Sequence, residues 1–218
     1  RTPGFGESTG TESLTDIHDL LYFYADLLDE LDLGRLPIVG HSLGGMFAAE
    51  LAAMQPRRFS HVALISPFGL WEGSDPVPDL FSISLSDLAE AMYADVKSEP
   101  AVAVSTAPQA RMTEVDPSTS EGQDTLNYLV ERAKSMSTAA KYLWPIPNRG
   151  LSKRLHRVTQ PSQIIWGASD GIIPPTYAER FAASMPNAAV HVVPDAAHMV
   201  VDEKPDHVAG LIESLLAR

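Results

Sequence analysis

The stretch Leu36-Pro37-Ile38-Val39-Gly40-His41-Ser42-Leu43-Gly44-Gly45 decides how this chain is expected to fold. Its apolar start, residues 36–39, predicts a buried strand. The small-residue run that follows, residues 46–54, predicts a helix that ends before Pro56. Between them stands the pattern G-x-S-x-G, which is typical of a sharp strand-to-helix turn with an exposed serine. The sequence therefore predicts strand, turn and helix, with Ser42 at the tip of the turn.

This turn indicates nucleophilic chemistry at Ser42. Side chains two residues before and after the serine are expected to collide in so tight a turn, and Gly40 and Gly44 remove them. The N-terminus of the following helix favours developing negative charge through its dipole and its free N–H groups. The N–H of Leu43 is therefore expected to be one oxyanion donor.

A serine hydroxyl needs a base to accept its proton and an acid to orient that base. His198, in the loop after the last predicted strand, is the expected base, and Asp170, in the loop after the preceding strand, is the expected acid. Asp195 is a rival acid, but it lies three residues before His198 in the same loop and is poorly set to reach the ring. Since Ser42, Asp170 and His198 each follow a predicted strand, we expect them at one edge of a parallel sheet.

The rest of the chain alternates strands and helices, which predicts a mostly parallel α/β sheet flanked by helices. The predicted strands cover about residues 36–39, 62–65, 163–166 and 190–193, and the predicted helices about 13–32, 46–54, 174–184 and 205–216. Ser13, with Asp16 three residues later, resembles a capping signal for the first helix.

The alternation is interrupted between residues 67 and 150, which we call the inserted segment. It shows no strand pattern, several proline turns and two helical stretches, near residues 86–97 and 120–141. Its large apolar residues, Trp144 among them, favour a packed helical lid over a loose linker. The expected organisation is a core in two parts, 1–66 and 151–218, with the lid at 67–150 between them.

Four residues are candidates for contact with a substrate. Phe68, Leu70 and Trp71 come directly after a predicted strand and are expected to line a pocket, although aromatic residues in such a segment are more often core. His41, the variable residue of the turn, is a further candidate, although packing is its more common role.

The composition excludes several other classes of function. The 218 residues carry a net charge of −12, which argues against nucleic acid and anionic membrane surfaces as partners. The chain has no cysteine, so disulfides, thiolate metal sites and a cysteine nucleophile are excluded. No apolar run is long enough to span a membrane, and no metal-ligand spacing or phosphate-binding glycine loop is visible. We expect no metal and no cofactor, a small-molecule substrate and a cytoplasmic location. The sequence does not indicate an oligomeric state.

Four pieces of this sequence resemble the α/β-hydrolase superfamily, in its lidded serine-hydrolase branch. They are Pro3-Gly4-Phe5-Gly6-Glu7-Ser8, the turn at residues 40–45, Trp166-Gly167 with Asp170 and Pro174, and His198 with Glu203-Lys204-Pro205. The resemblance implies that Ser42, Asp170 and His198 form a catalytic triad. It also implies that the first strands of the fold, and the loop that usually supplies the second oxyanion N–H, are absent from this sequence, so that either a longer chain or a partner supplies them.

The sequence thus predicts a cofactor-independent hydrolase that cleaves an ester or related carbonyl bond through a serine adduct. The apolar inserted segment favours a small to medium, largely apolar substrate. Three alternatives stay open: a carbon–carbon bond hydrolase acting on ring-cleavage diketones, an acyltransferase whose pocket excludes water, and a slow-turnover ligand-binding module.

Overall fold

A computed structural model of the chain describes residues 2–106, 115–143 and 150–218. Its centre is a sheet of four parallel strands in the spatial order β1-β2-β3-β4. The strands are β1 (Leu36–His41), β2 (Phe59–Ile65), β3 (Ser162–Gly167) and β4 (Ala188–Val193). The predicted parallel sheet and all four of its predicted strands are confirmed.

Eight α-helices accompany the sheet in the described part of the chain. They are α1 (Ile17–Glu30), α2 (Leu43–Met54), α3 (Leu85–Met92), α4 (Glu99–Ser105), α5 (Ser120–Leu143), α6 (Tyr177–Ser184), α7 (Val200–Glu203) and α8 (Pro205–Leu216). Two of them begin later than predicted. Helix α1 begins at Ile17 because the carboxylate of Asp16 caps it, accepting from the N–H groups of His18 and Asp19. Helix α6 begins at Tyr177, after the turn formed by Pro174 and Pro175.

The two faces of the sheet bury separate apolar clusters. The larger cluster packs helices α1, α2 and α6 against one face, with Leu64, Ile164 and Trp166 wholly buried at its centre. The smaller cluster packs α7 and α8 against the other face around Ile65 and Ile165. Strand β3 is buried along its whole length, as expected for a central parallel strand, whereas β1 lies at the edge of the sheet.

Register places the ends of the strands together. His41 of β1 pairs with Ile65 of β2, Ile65 pairs with Ile165 of β3, and Gly167 of β3 pairs with Val193 of β4. The loops that follow the four strands therefore open at one edge of the sheet, which is where a parallel sheet places its ligands.

Between β2 and β3 the described residues form no strand; their helices are α3, α4 and α5, followed by two short 3₁₀ helices, Leu151–Lys153 and Leu155–Arg157. The predicted helix near 86–97 is shorter than expected: α3 ends at Met92 because Tyr93 adopts extended backbone. A separate helix, α4, then begins after Ser98, with Pro100 in its first turn. Trp144, which supported the expectation of a packed lid, lies outside the described residues, and the role of the inserted segment as a lid stays a prediction.

Candidate active site

The turn between β1 and α2 holds Ser42 in strained backbone. Its φ of 55° and ψ of −119° fall in a region that residues other than glycine rarely occupy. A Cβ at Gly40 would overlap the Gly44 carbonyl, so this glycine is required as predicted. The expectation that a side chain at position 44 would collide in the turn is wrong, since a Cβ on Gly44 would meet nothing within 4 Å. The second crowded position is Gly45, where a Cβ would lie 2.8 Å from the Cβ of Pro67.

Ser42, His198 and Asp170 form a continuous hydrogen-bonded chain. Ser42 Oγ lies 2.8 Å from His198 Nε2, and His198 Nδ1 lies 2.9 Å from Asp170 Oδ2. A carboxylate can only accept, so Nδ1 of the neutral ring carries the proton and Nε2 accepts from the serine hydroxyl. This is the tautomer that a base acting on Ser42 needs.

Asp170 is held in place by its second oxygen. Oδ1 accepts from the backbone N–H groups of Ile172 and Ile173, each at 2.9 Å, which turns Oδ2 toward the imidazole. The residue is 6% exposed and His198 is 4% exposed, so water is largely kept from their hydrogen bond. Asp195, the rival acid, is exposed in a turn with a φ of 52°. The structure thus brings Asp170, and not Asp195, to the ring.

His41 contacts His198 from the other side. Its Nε2 lies 2.8 Å from the carbonyl oxygen of His198, and the two ring centroids are 5.0 Å apart. Because a carbonyl oxygen only accepts, His41 Nε2 is the donor. Burial lowers the pKa of His41 from its usual value, and the neighbouring His198 lowers the pKa further, so that the neutral ring is favoured. The contact that the structure gives His41 is therefore with the histidine loop.

Of the three predicted pocket residues, Phe68 lies nearest the triad. Its ring approaches that of His198 edge-on with centroids 6.3 Å apart, and its N–H donates to the Ser42 carbonyl. Leu70 and Trp71 are half-buried and pack against the larger apolar cluster.

Leu43 is the first residue of α2, where a backbone N–H has no partner within the helix. That N–H stands directly after Ser42, and its role as an oxyanion donor stays a prediction. Sequence reasoning missed a different support of the site. The carboxylate of Glu203 accepts from the N–H of Ala197, next to His198, at 2.7 Å. Glu203 stands in the piece Glu203-Lys204-Pro205 that carries part of the family resemblance, but nothing in that piece specifies a bond to the backbone beside His198.

Within residues 2–106, 115–143 and 150–218, no three histidine, aspartate or glutamate side chains come together in a way that could hold a metal ion. In the same ranges no helix combines the length and apolar character needed to cross a bilayer.

A family model described as the alpha/beta hydrolase fold matches residues 2–205. Three curated relatives illustrate the range of activities among similar proteins. The dihydrolipoyllysine-residue acetyltransferase component of the acetoin cleaving system of Cupriavidus necator is 29% identical over 230 residues, covering 98% of this chain and 54% of that protein. The monoacylglycerol lipase ABHD6 of Mus musculus is 29% identical over 196 residues, covering 86% of this chain and 57% of the lipase. The 2-hydroxy-6-oxononadienedioate/2-hydroxy-6-oxononatrienedioate hydrolase of Burkholderia vietnamiensis is 26% identical over 227 residues, covering 99% of this chain and 74% of that enzyme.

Solved structures agree on the fold. The bromoperoxidase of Bacillus anthracis superposes with a TM-score of 0.71 at 17% identity, covering 100% of this chain and 80% of that chain. This chain spans about half the length of several curated relatives that it matches.

Proposed function

Because this chain belongs to the α/β-hydrolase family, we propose that it is a Ser-His-Asp hydrolase that cleaves an ester or related carbonyl bond through a serine adduct. The observation that carries the proposal is the chain of two hydrogen bonds from Ser42 Oγ through His198 to Asp170, at 2.8 and 2.9 Å. These distances are those that a nucleophile, its base and the base's orienting acid require.

In the first half of the proposed reaction, His198 Nε2 accepts the Ser42 proton while Oγ bonds to the substrate carbonyl carbon. The carbonyl π electrons move onto oxygen, and the Leu43 N–H donates to that oxyanion. Asp170 keeps the ring in its tautomer and stabilises the imidazolium that forms. The oxyanion then collapses, the bond to the leaving alkoxide breaks, and the imidazolium gives that alkoxide its proton.

In the second half, water replaces the leaving group. His198 Nε2 accepts a proton from the water as its oxygen bonds to the acyl carbon. As the water oxygen adds, the carbonyl π electrons move onto oxygen, where the Leu43 N–H donates to the oxyanion. The oxyanion then collapses, the acyl–Ser42 bond breaks, the acid product leaves, and the imidazolium gives its proton to Ser42 Oγ. Atoms and charges balance with no cofactor, since the residues present supply every proton transfer.

Two features favour a small to medium, largely apolar ester as substrate. The aromatic ring of Phe68 packs against His198, so that the surface beside the reacting atoms is apolar on this side. The net charge of −12 disfavours an anionic substrate, because the field of the whole protein repels it. The similarity to the mouse monoacylglycerol lipase supports the same class.

Carbon–carbon bond hydrolysis is the second candidate, and the similarity to the Burkholderia vietnamiensis enzyme favours it. The compounds in that enzyme's name are dicarboxylates, for which this acidic chain offers no general attraction. Acyl transfer is the third, supported by the similarity to the Cupriavidus necator component. It differs from ester hydrolysis only in the group that attacks the acyl adduct.

A serine-directed fluorophosphonate, followed by mass spectrometry of the labelled peptide, tests the proposal. One label on the wild type that is lost in Ser42→Ala supports it. Ser66→Ala is the matched control, because Ser66 follows the neighbouring strand and is wholly buried at the same edge of the sheet. A label that persists in Ser42→Ala, or the absence of any label on the folded wild type, contradicts a serine hydrolase and favours a binding module.

The substrate class is tested with p-nitrophenyl esters of increasing chain length, vinylogous diketones, and esters offered together with alcohol or thiol acceptors. Fastest turnover of the esters, with the free acid as product, is the expected result. Preferential cleavage of the diketones would contradict ester hydrolysis and indicate carbon–carbon bond hydrolysis. Accumulation of a new ester or thioester would indicate an acyltransferase.

A further inference from the structure

The C-terminal end of helix α3, in the inserted segment, touches both loops that carry the proposed acid and base. The carbonyl of Ala91 accepts from the N–H of Gly171, beside Asp170, at 3.0 Å. The carbonyl of Met92 accepts from the N–H of Met199, beside His198, at 2.9 Å. A part of the chain 80 to 107 positions away in sequence therefore supports the loops of two of the three triad residues.

Glu203 joins these parts through its two carboxylate oxygens. Oε2 accepts from the N–H of Ala197 at 2.7 Å, and Oε1 accepts from the N–H groups of Ala94 and Asp95 at 2.8 and 3.3 Å. The side chain is half-buried at the end of α7. Hydrogen bonds to an ionised acceptor are stronger than those between neutral groups. One carboxylate thus ties the residue before His198 to the turn that follows α3.

The loop that carries His198 contains backbone features that other contacts must hold in place. It contains a left-handed residue, Asp195, with a φ of 52°. Its close approach to β3 depends on Gly167, where a Cβ would overlap the Ala197 carbonyl. Three consecutive residues around His198 are held by hydrogen bonds to their backbone. The carboxylate of Glu203 accepts from the N–H of Ala197, the ring of His41 donates to the carbonyl of His198, and the carbonyl of Met92 accepts from the N–H of Met199.

We propose that Glu203 is a positioning residue for the reaction: it fixes the backbone before His198, and thereby couples the placement of the imidazole to helix α3 of the inserted segment. The inference rests on the proposed function, because Glu203 acts only through His198 and touches no reacting atom. Helix α3 then has a structural role in the active site, in addition to any role in covering the substrate.

Loss of the Glu203 side chain leaves three N–H groups without their acceptor and frees the loop to shift. A displacement of about 1 Å at a catalytic group costs on the order of 10²-fold in rate. Glu203→Ala is therefore expected to lower kcat by about 10²-fold, while KM changes little because no predicted pocket residue is touched. Glu203→Gln keeps one acceptor oxygen and is expected to lose less.

Tyr93→Phe is the matched control. The Tyr93 hydroxyl, just after α3, lies near the carboxylate of Asp202 in α7, since burial and then this charge raise its pKa. This variant is expected to keep the kcat and KM of the wild type. An equal fall in Tyr93→Phe and Glu203→Ala would mean that the whole contact is loosened, and would overturn the specific role of Glu203.

A proton NMR measurement gives a readout that does not depend on turnover. The Nδ1–H of His198, bonded to Asp170, is expected at low field in the wild type and absent from Asp170→Ala, which identifies it. Loss or broadening of this signal in Glu203→Ala, with an unchanged circular dichroism spectrum, supports the inference. An unchanged signal and an unchanged kcat overturn it. If Glu203→Ala does not fold, the same two measurements on Glu203→Gln decide, with wild-type values again overturning the inference.

Failure of the proposed function is distinguishable from failure of this inference. A wild type that is not labelled at Ser42 and does not hydrolyse esters contradicts the proposed function. The proposed effect of Glu203 on kcat is then contradicted as well. A wild type that labels and turns over, beside a Glu203→Ala variant of equal kcat, contradicts the inference alone.

Discussion

Replacement of Asp170 by asparagine tests the proposed triad most directly. The two side chains have nearly the same shape, so the variant is expected to fold. The N–H groups of Ile172 and Ile173 both point at Oδ1 of the native carboxylate. In the variant they require an oxygen there, since an amide NH₂ would face two donors. The asparagine NH₂ group must therefore face His198.

That orientation reverses the proton on the imidazole. An NH₂ group donates, so Nδ1 of His198 has to accept, and the ring proton moves to Nε2. Nε2 then donates toward Ser42 Oγ, and can no longer accept the serine proton. By analogy with serine proteases, where the same exchange leaves geometry intact, kcat is expected to fall about 10⁴-fold, or about 5.5 kcal/mol in the barrier.

The assay is the steady-state hydrolysis of the best p-nitrophenyl ester, together with the rate of fluorophosphonate labelling, which reports the nucleophile itself. Asp195→Asn is the matched control, because Asp195 is exposed and lies in the same loop as His198. It is expected to stay near wild type. A fall of less than about tenfold in Asp170→Asn, against 10⁴-fold expected, or a severe loss in Asp195→Asn, would refute the assignment of the acid.

Three further predictions concern stability and the turn. His41→Gln should make the protein less sensitive to acid: burial lowers the pKa of His41, so the native protein loses stability as the pH falls below the unfolded-state pKa of about 6.5. Urea unfolding above and below that pH measures this, and equal acid losses in both proteins would contradict it. Arg154→Met should lower the free energy of unfolding by about 3 kcal/mol, because it leaves the buried carboxylate of Glu50 without its ion-pair partner. Glu50 is 4% exposed and accepts from Arg154 Nε at 2.7 Å. A change within the error of denaturant titration would refute this. Gly40→Ala should abolish labelling of the nucleophile, whereas Gly44→Ala, inside α2, should keep it and raise stability by up to about 1 kcal/mol. Equal effects of the two alanines on labelling and melting temperature would refute the steric account of the turn.

Much of the fold was predictable because its signals are local. The apolar runs at residues 36–39 and 62–65 became β1 and β2, and the glycine-flanked serine became the turn that joins β1 to α2. The helix ends were less predictable, since competing caps decide them. Asp16 starts α1 three residues after the expected cap at Ser13, and the extended backbone of Tyr93 ends α3 early.

Crowding in the turn was only half predictable. Glycine is required at position 40 because a Cβ there would overlap the carbonyl of Gly44, only four positions along the chain, and a sequence pattern can express so short a spacing. Gly45 is required by Pro67, which follows a different strand and approaches only when β1 and β2 pair.

The sequence by itself determined the alternation of strands and helices, the nucleophile turn and the candidates for base and acid, because each depends on residues close together in the chain. The tertiary structure decided which carboxylate reaches the ring. Pairing of β3 with β4 carries the loop after Gly167 to His198, while a left-handed turn keeps Asp195 in solvent. It also decided that Glu203 ties this loop to the turn after α3. Those contacts join parts of the chain up to 109 positions apart, and their distances are set by strand register and packing, which no local pattern records.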